Sequence, residues 1–257
     1  MSGPLTSVAG LAPRLRRARL GRPPDRSITN MVWLRMRRGR SATFHQGIDY
    51  KAFLKQIHDV VEPSTYLEIG VYTGATLDFA HCTSVAIDSK FQLGVNAVGT
   101  RTETYYFQMQ SDEFFAKHDL RKFLPGGVDF AFLDGMHLYE YLLRDFINTE
   151  KYAHKNTIVA MHDCYPINLE IADREMNLDQ RTDEATRLWW TGDVWKLLPI
   201  LRDYRPDLEV TVFDCPPTGL VIVEGLDSGA KALTNAYDEI VAKYQRAPSL
   251  TVGCWVP

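Results

Sequence analysis

Tyr66-Leu67-Glu68-Ile69-Gly70-Val71-Tyr72-Thr73-Gly74-Ala75-Thr76 decides the architecture of this 257-residue chain. A short apolar run ends on a glycine, a second glycine follows four residues later, and Thr76 to Ala80 can continue as a short helix. Glycine-bounded apolar runs of this length read as buried strands, so the stretch predicts strand, tight turn, helix. The same order recurs outward. Ser84–Asp88 and Tyr105–Met109 read as strands, and Ser111 to Lys117 starts a helix. Val128–Leu133 is a strand after the Gly126-Gly127 turn, and Leu138 to Tyr152 is a helix with Leu138, Leu142 and Phe146 on one face. Thr157–Met161 is the fifth strand. Upstream, Ile48–Ile57 has apolar residues three and four apart and reads as an amphipathic helix, broken by Pro63 and Ser64. Downstream come a polar stretch from Pro166 to Arg187, a helix over Val194–Leu201, and strands at Leu208–Phe213 and Gly219–Val223. The last two are expected to pair as an antiparallel edge. Continuous apolar strands alternating with helices imply a parallel sheet covered on both faces. The expected fold is α/β: a doubly wound, mostly parallel seven-stranded sheet with an antiparallel last strand.

Charge divides the chain. The net charge is −3. Residues 1–43 hold ten arginines, no lysine and one acid, Asp25, which makes that segment +9 and the remainder −12. The expected organisation is a basic, flexible extension over 1–43, then a single domain over 44–257 with a lid-like insert at about 166–192. The arginine-rich segment also fits a transit peptide or an arm for nucleic acid or membrane surfaces. The four cysteines, Cys82, Cys164, Cys215 and Cys254, have neither metal-knuckle nor disulfide-ladder spacing. They suit a reducing cytoplasm. No apolar run is long enough for a transmembrane helix.

In doubly wound sheets ligands bind beyond the carboxyl ends of the strands. The G-x-G-x-x-G dinucleotide fingerprint is absent, because Tyr72 stands two residues after Gly70. That weakens a nicotinamide oxidoreductase reading. Glu68 lies at the turn, and Asp88, twenty residues on, ends the second strand, where a carboxylate can accept from both hydroxyls of a ribose. Together they point to a nucleoside-type ligand.

The stretch 66–76 resembles motif I of class I S-adenosylmethionine-dependent methyltransferases, in the branch whose turn reads E-I-G-x-x-x-G-x-[ST]. Further matches are Asp88, Ser111-Asp112, Asp134-Gly135-Met136-His137-Leu138-Tyr139-Glu140 and Met161-His162-Asp163. The resemblance covers roughly residues 48–226 and is similar to the small-molecule and sugar O-methyltransferases. It implies a Rossmann-like fold and S-adenosylmethionine as cofactor. Gly70 and Gly74 would pass close to the methionine part, with Glu68 and Tyr72 in the same turn. Asp88 would hold the ribose, Ser111 and Asp112 would sit at the adenine edge, and Asp134 would complete the cofactor set.

The reacting end is expected from Asp134, His137, His162 and Asp163. Adjacent strands lie about 4.8 Å apart, so groups after strands four and five can converge. Carboxylate plus imidazole suits a divalent cation. Likeness to catechol O-methyltransferases makes Asp134, His162 and Asp163 the metal candidates, with Mg2+ or another divalent ion. The histidine departs from an all-oxygen magnesium set. Asp134 could instead cap the following helix, and His162-Asp163 could be a structural pair. A hydroxyl nucleophile needs deprotonation, which this rim can supply, so O-methylation of a small-molecule or glycan acceptor is expected. Trp189-Trp190 in the insert could stack on a ring or anchor the core. The competing expectations are a non-catalytic cofactor-binding module and a nucleic-acid methyltransferase. The acidic domain repels phosphate, which counts against the latter. Homo-oligomerisation is left open.

Overall fold

The computed structural model describes residues 17–19, 44–94, 96, 98–101 and 103–245. Its strands are β1 (Arg17–Arg19), β2 (Thr65–Ile69), β3 (Thr83–Asp88), β4 (Thr104–Gln108), β5 (Val128–Leu133), β6 (Ala153–His162), β7 (Glu209–Phe213) and β8 (Leu220–Glu224). The helices are α1 (Tyr50–Val61), α2 (Ser111–Lys117), α3 (Tyr139–Glu150), α4 (Leu197–Tyr204), α5 (Ala232–Asn235) and α6 (Tyr237–Gln245).

The sheet runs β1-β7-β8-β6-β5-β2-β3-β4. Strands β4, β3, β2, β5 and β6 pair in parallel. β8 is antiparallel to both β6 and β7. All seven expected strands are present, with the last one reversed. Two details differ. The final two strands pair antiparallel at one end of the sheet as expected, but it is β8, not β7, that joins them to β6. An eighth, three-residue strand, β1, pairs antiparallel to β7. Apart from β1, the basic extension expected over 1–43 lies outside the described residues.

The core has two layers, one on each face of the sheet. On one face Leu67, Val85, Ala131 and Val159 pack against Phe114 of α2, Leu142 and Phe146 of α3, Leu201 of α4 and Ile240 of α6. On the other, Tyr66, Phe130, Phe132 and Ile222 pack against Phe53, Leu54 and Ile57 of α1. These three α1 residues share one helix face, as the i, i+3, i+4 spacing requires. Asp49 starts α1 by accepting from the amides of Lys51 and Ala52 at 2.9 and 3.3 Å.

β6 begins four residues earlier than the apolar run suggests. Its pairing with β5 shifts register between Val128 and Phe130, and the irregular stretch carries the exposed Lys155 and Asn156. The C-terminal helices α5 and α6 were not anticipated.

Successive strands go outward from β2 through β3 to β4 on one side and from β5 to β6 on the other. The reversal falls between β2 and β5, where such folds place their ligands. The two chains nearly touch there. Gly70 has φ +86°, and a Cβ on it would lie 2.0 Å from the carbonyl oxygen of Asp134. Only glycine fits this crossing.

Candidate active site

A cavity of about 480 Å³ opens beyond the ends of β2, β3, β4 and β5, a size suited to a small ligand. Gly70, Tyr72, Asp88, Ser111, Asp112, Asp134 and His137 all line it. Of the expected cofactor residues two do not, and of the reacting groups His162 and Asp163 lie outside its lining. Gly74 faces a separate cavity of about 230 Å³ on the far side of the turn. Glu68 lies beneath the turn, fully buried, and accepts from the hydroxyls of Tyr66 at 2.8 Å and Thr76 at 2.6 Å. Burial pushes its carboxyl up to about 8, against the pull of those two bonds.

Asp88 is held at the cavity wall by two amides. Its Oδ2 accepts from Tyr72 N and its Oδ1 from Lys90 N, both at 2.7 Å. Each oxygen keeps a lone pair for a further donor. Tyr72 itself has φ +48° and is 59% exposed. The position that departs from glycine thus still adopts a left-handed conformation, which L-residues adopt at a cost. Across the cavity, both Asp112 oxygens accept from Arg144 Nε at 2.9 Å. Its carboxylate is therefore committed to the protein.

The four expected reacting groups converge. His137 Nε2 lies 3.2 Å from Asp163 Oδ2 and 3.6 Å from Asp134 Oδ1. His162 Nδ1 lies 3.4 Å from Asp134 Oδ1 and 3.4 Å from Asp163 Oδ1. Asp163 has φ +62°, so its backbone is strained at the centre of this cluster. Asp134 does not cap α3. The amide of Tyr139 donates instead to Asp193 Oδ1 at 3.0 Å, which leaves Asp134 free to face the histidines.

Hydrogen-bond bookkeeping fixes both imidazoles. His137 Nδ1 donates to the carbonyl of Trp190 at 2.8 Å, so Nε2 presents a lone pair to the acids. Thr218 Oγ1 donates its only proton to Asp163 Oδ1 and lies 3.4 Å from His162 Nε2. It can then accept from that nitrogen but not donate to it, and Nδ1 is the edge of His162 turned toward Asp134 and Asp163. Two imidazole nitrogens thus face two carboxylates, an arrangement that holds protons or a cation between them. Outer ring nitrogens tied to carbonyl or hydroxyl oxygens are also the usual support of metal-ligating histidines. Ligand atoms of Asp134, His162 and Asp163 lie within 4.8 Å of one another. The donor set therefore fits a divalent ion.

Without a cation the cluster holds protons. Burial works against charge on His137, but its bond to Asp134 and the Asp163 and Asp134 charges outweigh it and push its pKa up to about 9. His162 is raised in the same sense, burial opposing and Asp163 and Asp134 prevailing. Burial would raise the Asp134 carboxyl, yet the facing His162 and the bonds from both histidines hold it well below the usual range.

Three neighbours escaped the sequence reading. Tyr50 stacks on His162 with ring centroids 3.9 Å apart. Thr218 and the Trp190 carbonyl contact the outer nitrogens of His162 and His137. No local motif marks these residues, because each reaches the cluster from a distant part of the chain. Trp190 is half-exposed, with its indole 5.4 Å from the His137 ring and its Nε1 donating to Asp173 O at 2.9 Å. Trp189 meets Phe44 edge-on at 5.9 Å. The insert is locked to the cluster at Gly192, where φ is +56° and a Cβ would lie 1.7 Å from His137 O.

Residues 67–164, which include the first glycine turn, Asp88 and all four reacting groups, match a family model described as a methyltransferase domain. Over that span the chain resembles a methyltransferase domain. No curated protein matches the chain in sequence at a significant level. Among solved structures, the chain is similar to an O-methyltransferase from Bacillus cereus in complex with SAH. The two share 10% identity over 79% of this chain and 92% of that one, at a TM-score of 0.48. SAH-bound methyltransferase PaMTH1 from Podospora anserina shares 13% identity over 77% and 87%, at 0.48. O-methyltransferase TomG from Streptomyces achromogenes, solved with SAM, shares 14% over 79% and 91%, at 0.45. No helix among the described residues is long and apolar enough to cross a membrane.

Proposed function

We propose that the methyltransferase domain transfers the methyl group of S-adenosylmethionine to a hydroxyl oxygen of a small molecule or glycan, with a divalent cation such as Mg2+ held by Asp134, His162 and Asp163. The observation that carries this reading is the pair of imidazoles, His137 and His162, turned toward the Asp134 and Asp163 carboxylates beside the cavity that Asp134 and His137 line. Nitrogen or carbon nucleophiles have less use for such a cluster. The names of the similar structures, two of them O-methyltransferases, agree with it.

The cofactor carries the reactive methyl group, so the protein supplies binding, orientation and proton removal. Asp88 is the ribose acceptor, with its carboxylate already oriented by the Tyr72 and Lys90 amides. Gly70 lets the backbone approach the methionine part. Ser111 faces the base. Asp134, His162 and Asp163 would hold a divalent ion, which would supply Lewis acidity to lower the pKa of a hydroxyl. His137 is the general base. Trp190 O holds its Nδ1–H, which leaves Nε2, the nitrogen beside Asp163 and Asp134, to take the proton. Asp163 and Asp134 favour the imidazolium that forms. The half-exposed Trp190 indole packs 5.4 Å from the His137 ring and helps fix its position. Positioning of this kind is worth roughly 7–11 kcal/mol when the reacting atoms are aligned.

The test is release of S-adenosylhomocysteine from S-adenosylmethionine across a panel of phenols, sugars and amines. Each acceptor is assayed with Mg2+ and after chelation. Turnover of hydroxyl acceptors that chelation lowers and Mg2+ restores is the expected result. Turnover confined to amines overturns O-methylation, and chelator-insensitive turnover overturns the metal.

A further inference from the structure

His45 takes no part in the chemistry above and is 4% exposed. Both of its ring nitrogens point at oxygen acceptors. Nε2 lies 2.8 Å from the carbonyl oxygen of Tyr165, which can only accept, so Nε2 carries a proton and donates it. Nδ1 meets the buried carboxylate of Asp214. One ring thus joins two loops. Tyr165 belongs to the loop that leaves β6 at His162 and begins with Asp163, and Asp214 opens the β7–β8 loop, which carries Thr218.

The neighbours of His45 fasten the second of these loops. Gln46 N donates to Asp214 Oδ2 at 3.2 Å, Gly47 N to Asp214 O at 2.9 Å and Tyr50 N to Pro216 O at 3.1 Å. Gly47 runs so close that a Cβ on it would stand 2.1 Å from Asp214 O. Residues 45–50 therefore form a strap along the β7–β8 loop, with Tyr50 at its far end stacked on His162. The strap bears on Asp163. That residue sits at φ +62°, a conformation that a non-glycine residue keeps only where its surroundings enforce it. Two residues on, Tyr165 is held at both backbone groups. Its N–H donates to Thr218 O at 3.1 Å, and its carbonyl accepts from His45. Thr218 in turn donates through Oγ1 to Asp163 Oδ1.

We propose that His45 is a positioning residue for the reacting cluster: through Tyr165 and Thr218 it holds Asp163 in its left-handed conformation, with the carboxylate turned toward His137 and His162. This rests on the assignment of Asp134, His137, His162 and Asp163 as the reacting groups. Without the His45 bonds the two loops separate, Asp163 relaxes toward an ordinary conformation, and its carboxylate leaves the imidazoles.

The experiment is NMR spectroscopy of the imidazole rings in the full chain with isotope-labelled histidine, paired with calorimetric titration of Mn2+. The His137 and His162 signals are assigned from His137→Gln and His162→Gln. His45→Leu fills similar space and donates no bond. It is expected to move both ring signals and to weaken Mn2+ binding about 10-fold, as loss of a partner behind metal ligands typically does. His137 faces Asp163 at 3.2 Å, so its signal reports on that carboxylate. His45→Gln, whose amide can still donate to Tyr165 O, is expected to bring both signals and most of the affinity back. A role confined to stability would lower Tm and leave the two signals in place. Gly47→Ala lifts the strap from Asp214 without altering His45, and it decides the matter by the same signals if the leucine variant fails to fold. Unmoved His137 and His162 signals in the variant that folds overturn the proposal. A wild type that binds no Mn2+ overturns the metal reading instead, and the ring signals then decide alone.

Discussion

Replacing Glu68 by glutamine should change how the stability of the domain depends on pH. Glu68 ends β2 under the glycine turn and is completely buried, with only the Tyr66 and Thr76 hydroxyls as partners. Its pKa is raised from 4.5 to about 8, chiefly by burial. In the unfolded chain the carboxyl ionises above about 4.3, while in the folded protein it keeps its proton until about pH 8. Between these values the native state binds more protons than the unfolded state, so stability falls as pH rises. Below the window both forms are protonated and the contribution is fully present. Above it both are ionised and the penalty is complete. At 1.36 kcal/mol per unit, a shift of this size amounts to on the order of 5 kcal/mol. For a domain this large that is roughly 10–20 °C in Tm. Glu68→Gln cannot ionise and lacks this slope. Thermal melts of both proteins from pH 4.5 to 9 should show the glutamine variant gaining steadily on wild type as pH rises, with S-adenosylhomocysteine affinity nearly unchanged at neutral pH. A constant Tm difference across that range would refute the buried, protonated Glu68. A selective loss of ligand affinity would return Glu68 to the cofactor contacts expected from sequence.

Other consequences follow from single contacts. His137→Gln should lower kcat by about 10²- to 10⁴-fold, the usual worth of a general base, while S-adenosylhomocysteine affinity stays within about two-fold. Gly192→Ala, which drives a methyl group into the His137 carbonyl, should cost turnover by misplacing His137 and expose the insert to limited proteolysis; an unaffected kcat would separate the insert from the reacting cluster. Arg205→Ala strips the buried Glu150 of its partner, held at 2.6 Å, and should destabilise by roughly 3–5 kcal/mol in denaturant melts.

The parts of the fold legible in sequence were those whose signal is local. Strands β2, β3 and β5 are continuous apolar runs bounded by turn residues, and each was found within a residue or two. The start of β6 was hidden because His154, Lys155 and Asn156 sit in an irregular register and carry no apolar signal. The interior position of β8 was hidden for another reason. Two nearby strands suggest a hairpin, but sequence does not say on which side of it the rest of the sheet pairs. In the site, Asp88, Asp134, His137, His162 and Asp163 were legible because they directly follow strands and all converge on one sheet edge. Glu68 was misplaced because alternation along β2 turns it away from the cavity, a side-chain direction that the motif does not encode. Tyr50, Thr218 and the Trp190 carbonyl depend on packing between distant segments. Asp112 is an acid at the expected edge whose charge is spent on Arg144, and only the structure reveals that partner.

The most direct test of the central claim is calorimetric titration of the full chain with S-adenosylhomocysteine, on wild type and Asp88→Ala. The account predicts one site per chain on wild type, at micromolar affinity or better, weakened at least about 10-fold in the variant as the ribose loses a charged acceptor. Absence of binding to wild type at millimolar ligand, or equal affinity in the two proteins, would contradict the placement of the nucleoside in the cavity between β2 and β5.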